Sequence, residues 1–190
     1  LALGAYADRV QVRCADLGQA RFGLDEAEYR DLAERCDSIL HVAASVSLTR
    51  AYASLRAINV LATRELIELA ATGRAKALHY VSTIAVAIGV PDASEVPEAF
   101  VPAHAGLRDG YTQSKWAAES LVEQASARGF HAAVYRLGRV VGSLQSGYVN
   151  PDDIVWRIIR ASVACGALPA LAVTEPRTPV DYLASTIVAL

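Results

Sequence analysis

An α/β fold built on a parallel sheet is what this 190-residue chain predicts, and three observations predict it. Short apolar runs alternate with helical stretches in the order strand, helix, strand, helix. The intervening helices are too long for hairpin loops. Connections of that length are crossovers, which make a parallel sheet with helices on both faces.

The elements follow in order. Val10 to Cys14 alternates as a short strand does, and the turn Ala15-Asp16-Leu17-Gly18 puts Asp16 at its carboxyl end. Asp25 to Glu34 carries Ala27, Tyr29, Leu32 and Ala33 among charges, which predicts an amphipathic helix capped by Asp25. Ser38 to Ala44 is short and apolar, like a strand covered on both faces. Ala51 to Ala71 has no Pro or Gly and is ended by Thr72-Gly73, which predicts a long helix with a glycine stop. Lys76 to Ser82 reads as strand, and 92 to 109, with Pro97, Pro102 and Gly106, as a long surface excursion. Tyr111 to Arg128 is helical by pattern and stopped by Gly129; Ala132 to Leu137 is strand, leading into Gly138-Arg139-Val140-Val141-Gly142. Asn150-Pro151-Asp152-Asp153 opens a helix through Ala164, and Pro169, Pro176 and Pro179 punctuate the tail. These boundaries divide the chain into 1–142, a partial dinucleotide-binding region with the catalytic residues, and 143–190, the start of a substrate-binding region.

With 53% hydrophobic residues the chain can bury one sizeable core. Eighteen basic against twenty acidic residues recommend neither nucleic acid nor an anionic membrane as partner. Cys14, Cys36 and Cys165 lack disulfide or zinc spacing, and His79, His104 and His131 lack ligand spacing, so no metal is expected and a reducing cytoplasm fits. No apolar run approaches the roughly 20 residues that span a bilayer. The opening Leu1-Ala2-Leu3-Gly4 has neither Met nor a basic front, as an excised piece would.

The chemistry concentrates in Gly110-Tyr111-Thr112-Gln113-Ser114-Lys115-Trp116. Tyr111 and Lys115, four residues apart, share one helical face. A phenol with an ordinary pKa near 10 exchanges protons poorly at neutral pH unless a nearby cation stabilises its phenolate, and Lys115 is placed to be that cation. A lone Tyr-x-x-x-Lys has a plainer explanation, a packed tyrosine and a solvated lysine. The context changes the reading: Tyr80-Val81-Ser82-Thr83 delivers hydroxyls to the carboxyl end of an apolar strand, where open α/β sheets place their ligand crevice.

These residues resemble the extended short-chain dehydrogenases/reductases, and among them the terminal thioester reductase domains of nonribosomal peptide and polyketide synthases and of carboxylic acid reductases. The resemblance runs along nearly the whole chain. It implies a doubly wound, Rossmann-like sheet, with Thr83 as catalytic hydroxyl, Tyr111 as acid and Lys115 as cation and ribose ligand. On the cofactor side it implies Asp16 and Leu17 by the adenine, Val42, Ala43 and Ala44 behind His41 along the dinucleotide, Asn59 in the following helix, and Arg136 and Gly138 in a Tyr-Arg-Leu-Gly turn where Leu137 replaces the usual Pro. Arg177 to Ala184 is similar to the family's Pro-Val-Asp-Tyr helix start.

The function so implied is NADPH-dependent reductive release of an acyl or peptidyl thioester, carried on the phosphopantetheine of a carrier protein, to an aldehyde or onward to an alcohol. NADH remains an alternative cofactor. Other readings are a nucleotide-sugar or alcohol dehydrogenase or epimerase, and a noncatalytic fragment or dinucleotide sensor. A Gly-rich turn that would let backbone N–H groups meet a pyrophosphate is not found among Gly4, Gly18 and Gly23. The expectation is therefore a sheet without its first βαβ unit, little activity in isolation, and self-association through an exposed sheet edge.

Overall fold

The computed structural model describes residues 4–91, 95–170 and 176–190, so residues 92–94 of the expected excursion lie outside the described residues. It divides into two compact units, 1–136 and 137–190.

In the first unit, helix α1 (Glu26–Arg35) starts where expected. The Asp25 carboxylate accepts the Glu28 N–H while the Glu28 carboxylate accepts the Asp25 N–H, which satisfies two free donors of the first turn at once. Strand β1 (Ser38–His41) pairs in parallel with β2 (Ala77–Thr83), Ser38 opposite Ala77 through His41 opposite Tyr80. Strand β3 (Ala132–Leu137) flanks β2 on its other side. The crossover from β1 to β2 is one continuous helical run: α2 (Tyr52–Arg56), a π turn (Ala57–Leu61) and α3 (Ala62–Ala71), ended at Thr72 with Gly73 at φ +64. After β2 and a tight turn at Ile84–Ala87, helix α4 (Gly110–Ser126) returns the chain to β3.

Alternate residues of β2 decide where the core sits. Leu78 and Tyr80 are buried against Ala118 and Val122 of α4, with Phe100, Phe130 and Val134 around them. Phe22, Tyr29, Ala33, Leu66 and Leu69 form a second cluster between α1 and α3. Lys76 ties that cluster's helices together: its buried ammonium donates to the carbonyls of Ala33 in α1, Leu69 in α3, and Thr72 and Arg74 just after α3. At the end of β1, His41 is buried with its ring 5.6 Å from that of Tyr80; burial first, and the Lys115 ammonium second, push its pKa down to about 4.

The second unit pairs β4 (Arg139–Val141) in parallel with β5 (Arg177–Pro179). Helix α5 (Ile154–Cys165) is capped by the Asp153 carboxylate on the Val155 N–H, and α6 (Val180–Ala189) begins at the expected Val-Asp-Tyr. The Asp181 carboxylate accepts from the Ser143 hydroxyl and the Gln145 N–H, pinning the turn that follows β4.

Three expectations are corrected. Val10–Cys14 is not a strand: it has no ladder partner, Val12 is 89% exposed, and Arg13 reaches sideways to Asp31 of α1. The Ser38–Ala44 run is strand only to His41, and it is not covered on both faces, since Leu40 is 51% and Val42 62% exposed. The segment 138 to 142, into which the preceding strand was expected only to lead, contains a strand of its own, β4, which gains a ladder because residues far along the chain come to pair with it.

Two stability outcomes follow. Lys76→Met leaves several carbonyls unpaired and is expected to lower unfolding free energy by about 1 to 3 kcal/mol, read by urea denaturation; an unchanged midpoint contradicts the cage. For His41 the unfolded pKa lies near 6.5 and the folded one near 4, so the unfolded state binds more protons between them. Its contribution is complete above about pH 6.5 and declines by roughly 3 kcal/mol as pH falls through 4, and His41→Gln is expected to flatten that part of the stability profile.

Candidate active site

The site grows from the carboxyl end of β2 and the first turns of α4. The Asp109 carboxylate accepts the Thr112 N–H at 2.9 Å and the Thr112 hydroxyl at 2.7 Å, so α4 begins at a defined residue. Gly110 lets that start approach α2: a Cβ there would lie 2.4 Å from the Arg50 carbonyl oxygen and from the Tyr52 nitrogen. One turn further on, Lys115 is buried, and its ammonium donates to the Val81 carbonyl at 2.8 Å while lying 4.1 Å from the centre of the Tyr80 ring. This bond joins α4 to β2 two residues before Thr83.

Thr83 is half-buried, and its hydroxyl oxygen accepts the Ala85 N–H at 3.3 Å, which leaves the O–H to donate elsewhere. Tyr111 is also half-buried, close enough to Tyr80 for its charge to act on that phenol. The neighbouring Ser82 hydroxyl is buried without a hydrogen-bond partner among the described residues.

The electrostatics differ from the sequence expectation in one respect. Burial, with the Asp109 charge second, holds the Tyr111 phenol above its ordinary value, and Lys115 does not bring it down. The ammonium is turned to Val81 and the Tyr80 face instead. Burial also lowers the Lys115 pKa to about 8, against the Glu119 carboxylate one turn beyond, which raises it. Tyr111 is thus a protonated phenol at neutral pH, and Lys115 a cation close to its titration point.

The cofactor-side residues separate into two groups. Val42 and Ala43 are exposed and Ala44 half-buried just past β1, with backbone open to a ligand at the strand ends. Gly138 stands at the head of β4 in the second unit. Others are occupied as supports. Asn59, in the π turn and fully buried, accepts the Ser45 N–H at 2.7 Å and donates to the Ser45 carbonyl and the Ser114 hydroxyl, so it fastens the loop after β1 to α4. The Asp16 carboxylate closes its own turn on the Gly18 N–H and Gln19, bonds that lower its pKa, and Leu17 packs on the α1–α3 cluster.

Arg136 is the clearest correction. Its guanidinium grips both Glu119 oxygens and donates to the Pro97 carbonyl at 2.9 Å, so it is committed to the protein rather than to a cofactor. The reason is burial: a guanidinium this enclosed requires a carboxylate, and α4 supplies one. Glu119 escapes the sequence reading, although its place four residues after Lys115 was the available signal.

A nicotinamide dinucleotide fits the donor set. Among the described residues the Lys115 ammonium meets one acceptor, Val81, and so keeps two of its three donors for a ribose diol, beside a phenol and a strand-end hydroxyl. No group of three or more potential metal ligands occurs among the described residues, and no described helix is long and apolar enough to cross a membrane.

Comparison with known proteins identifies the family. Residues 2–187 match the NAD-binding family described as male sterility protein. The chain is 50% identical over 182 residues to the isonitrile lipopeptide synthase of Streptomyces coeruleorubidus, covering 96% of this chain and 12% of that protein. It is 37% identical over 197 residues to the L-2-aminoadipate reductase large subunit of Eremothecium gossypii, covering 95% and 14%. Among solved structures, the terminal R domain of the myxalamid PKS-NRPS biosynthetic pathway superposes with a TM-score of 0.87 at 42% identity, over 97% of this chain and 47% of that one. The chain therefore spans about half the length of the solved R domain and about an eighth of the synthase. It belongs to the NAD-binding male sterility protein family of nicotinamide-dependent oxidoreductases, with an extended short-chain dehydrogenase/reductase fold.

Proposed function

We propose that this chain carries the catalytic centre of a thioester reductase that uses NADPH to release a carrier-bound acyl or peptidyl group as an aldehyde, with further reduction to an alcohol open to the same residues. The observation that supports this most is the Lys115–Val81 bond, because it holds the turn bearing Tyr111 against the strand that ends in Thr83. The likeness to the myxalamid R domain and to an aminoadipate reductase supports the substrate class. The partner is a carrier protein presenting its substrate on phosphopantetheine, and the setting is the cytoplasm.

Lys115, with the backbone just past β1 at Val42 and Ala43, would hold a nicotinamide cofactor, which would supply the hydride. The protein's part is to hold and protonate. The Thr83 hydroxyl and the Tyr111 phenol donate hydrogen bonds to the thioester oxygen as it gains negative charge, and they stabilise it more strongly in this half-buried setting than water would. Tyr111 then gives up its proton to that oxygen. Lys115, cationic below about pH 8, holds the ribose. The hemithioacetal that results breaks its carbon–sulfur bond, and the carrier thiol leaves with a proton.

Two outcomes test the reading in this chain or in a longer protein containing it. Tyr111→Phe is expected to lower kcat/KM for NADPH oxidation with an acyl-phosphopantetheine thioester by about a hundred- to ten-thousand-fold, and equal rates refute the role. Because kcat/KM reports groups of the free enzyme, its alkaline limb is expected to fall as pH rises through about 8, where Lys115 loses its charge. A profile flat to pH 10 would remove Lys115 from the mechanism.

A further inference from the structure

The Glu119–Arg136 pair does more than balance two buried charges. Glu119 is 3% and Arg136 11% exposed at the side chain, and the guanidinium contacts the carboxylate through both Nε and Nη2, the latter at 2.6 Å. Its remaining arm, Nη1, reaches the Pro97 carbonyl on the long segment between β2 and α4. That segment is also laced to α4 by the Trp116 indole N–H on the Val101 carbonyl at 2.9 Å and by the Gln113 amide on the Leu107 carbonyl at 3.0 Å. Gln113, Trp116 and Glu119 stand at intervals of three, on one stripe of the helix. The segment 96–100, with Ala132, Val134 and Arg136 of β3, walls a cavity of about 520 Å³.

We propose that Glu119 and Arg136 form a positioning pair for the reductase centre. Arg136 fixes the Glu119 carboxylate one helical turn beyond Lys115, and through Pro97 it fastens the cavity wall to the same turn. One ion pair thereby sets both the charge state of the ribose-holding lysine and the shape of the adjoining loop. The inference rests on the proposed function for the use made of Lys115, and on geometry alone for the pair.

The groups around Lys115 make the assignment specific. From β1 it faces His41, neutral above about pH 4; from β2, the Tyr80 ring and the Val81 carbonyl; from its own helix, Glu119. Glu119 is the one anion among them that raises the Lys115 pKa, and the Arg136 fork decides where its oxygens lie. Lysine in place of Arg136 keeps the charge but can neither grip two oxygens in one plane nor reach Pro97 at the same time.

The chain contains only two lysines, Lys76 and Lys115, so protein labelled with ¹³C-lysine gives two Cε resonances that can be titrated separately. In Glu119→Gln the Lys115 midpoint is expected to move to lower pH by about one unit, while Lys76 stays in place. Glu119→Gln combined with Arg136→Gln leaves no orphaned charge and, because a cation leaves with the anion, is expected to show an acid shift in the same direction but smaller if the single variant folds poorly. Arg136→Lys is expected to speed amide exchange at 98–101 by about tenfold relative to α4. An unmoved Lys115 midpoint in either Gln-containing variant overturns the electrostatic half, and unaltered exchange in Arg136→Lys overturns the loop half. None of these measurements needs substrate or turnover. A protein without reductase activity whose Lys115 still shifts would sink the functional reading alone, and an active protein with an unmoved midpoint would sink this inference alone.

Discussion

The burial of one ammonium group organises this structure. Taking the Lys115 charge out of water is expensive, and the fold surrounds it with the few things that offset the cost: a strand-end carbonyl, an aromatic face and a carboxylate one turn away. Each of those imposes a constraint of its own. The Val81 carbonyl lies two residues before the end of β2, where α4 passes with its lysine. The Tyr80 ring is available because the strand alternates, sending Leu78 and Tyr80 toward α4. Glu119 is itself a buried charge, and so requires Arg136, which in turn draws in Pro97. A loop 18 residues before the lysine is thus ordered by a sequence of compensations that begins at the lysine.

The parts legible in the sequence are those whose physics is local. Asp25 with Glu28, Asp109 and Asp153 all cap helices through bonds spanning two or three residues, and all three helices begin within a residue of these caps. Tyr111 and Lys115 are legible for the same reason, since one turn of helix fixes their spacing. Thr83 is legible because a hydroxyl at the end of an apolar run can be placed without knowing its neighbours. The parts that could not be read depend on partners remote in the chain. Val10–Cys14 has the alternation of a strand, yet a strand is a relation between two segments and this one has no second. Arg139–Val141 is too short to read as a strand until Arg177–Pro179 comes to lie beside it.

The cofactor-side residues carry a related lesson. Asn59 and Arg136 were expected to touch the dinucleotide, and both are turned into the protein. The π turn at Ala57–Leu61 inserts one residue into the helical period, which redirects Asn59 from the regular face toward Ser45 and Ser114. No pattern of apolar residues announces such an insertion. Its effect is to join the loop carrying Val42, Ala43 and Ala44 to the helix carrying Tyr111 and Lys115. Residues that mark a family need not contact its ligand, and several here preserve the spacing between those that would.

The protonation states also bear on the direction of the chemistry. A phenol raised by burial and by Asp109 is in its proton-giving form at neutral pH, and the oxygen formed by reducing a thioester needs a proton. Removing a proton from an alcohol, as a sugar dehydrogenase or epimerase must, calls for the same phenol as phenolate, against both burial and the Asp109 charge. Lys115 could favour the phenolate only by turning away from the Val81 carbonyl, and the Glu119 charge that keeps it cationic does nothing to turn it. Asp109 is fixed at its post by Thr112 as the helix cap, so the element that starts α4 also biases Tyr111 toward donation. The local electrostatics of this chain therefore hold Tyr111 in its proton-bearing form at neutral pH, for reasons that lie in its own helix start.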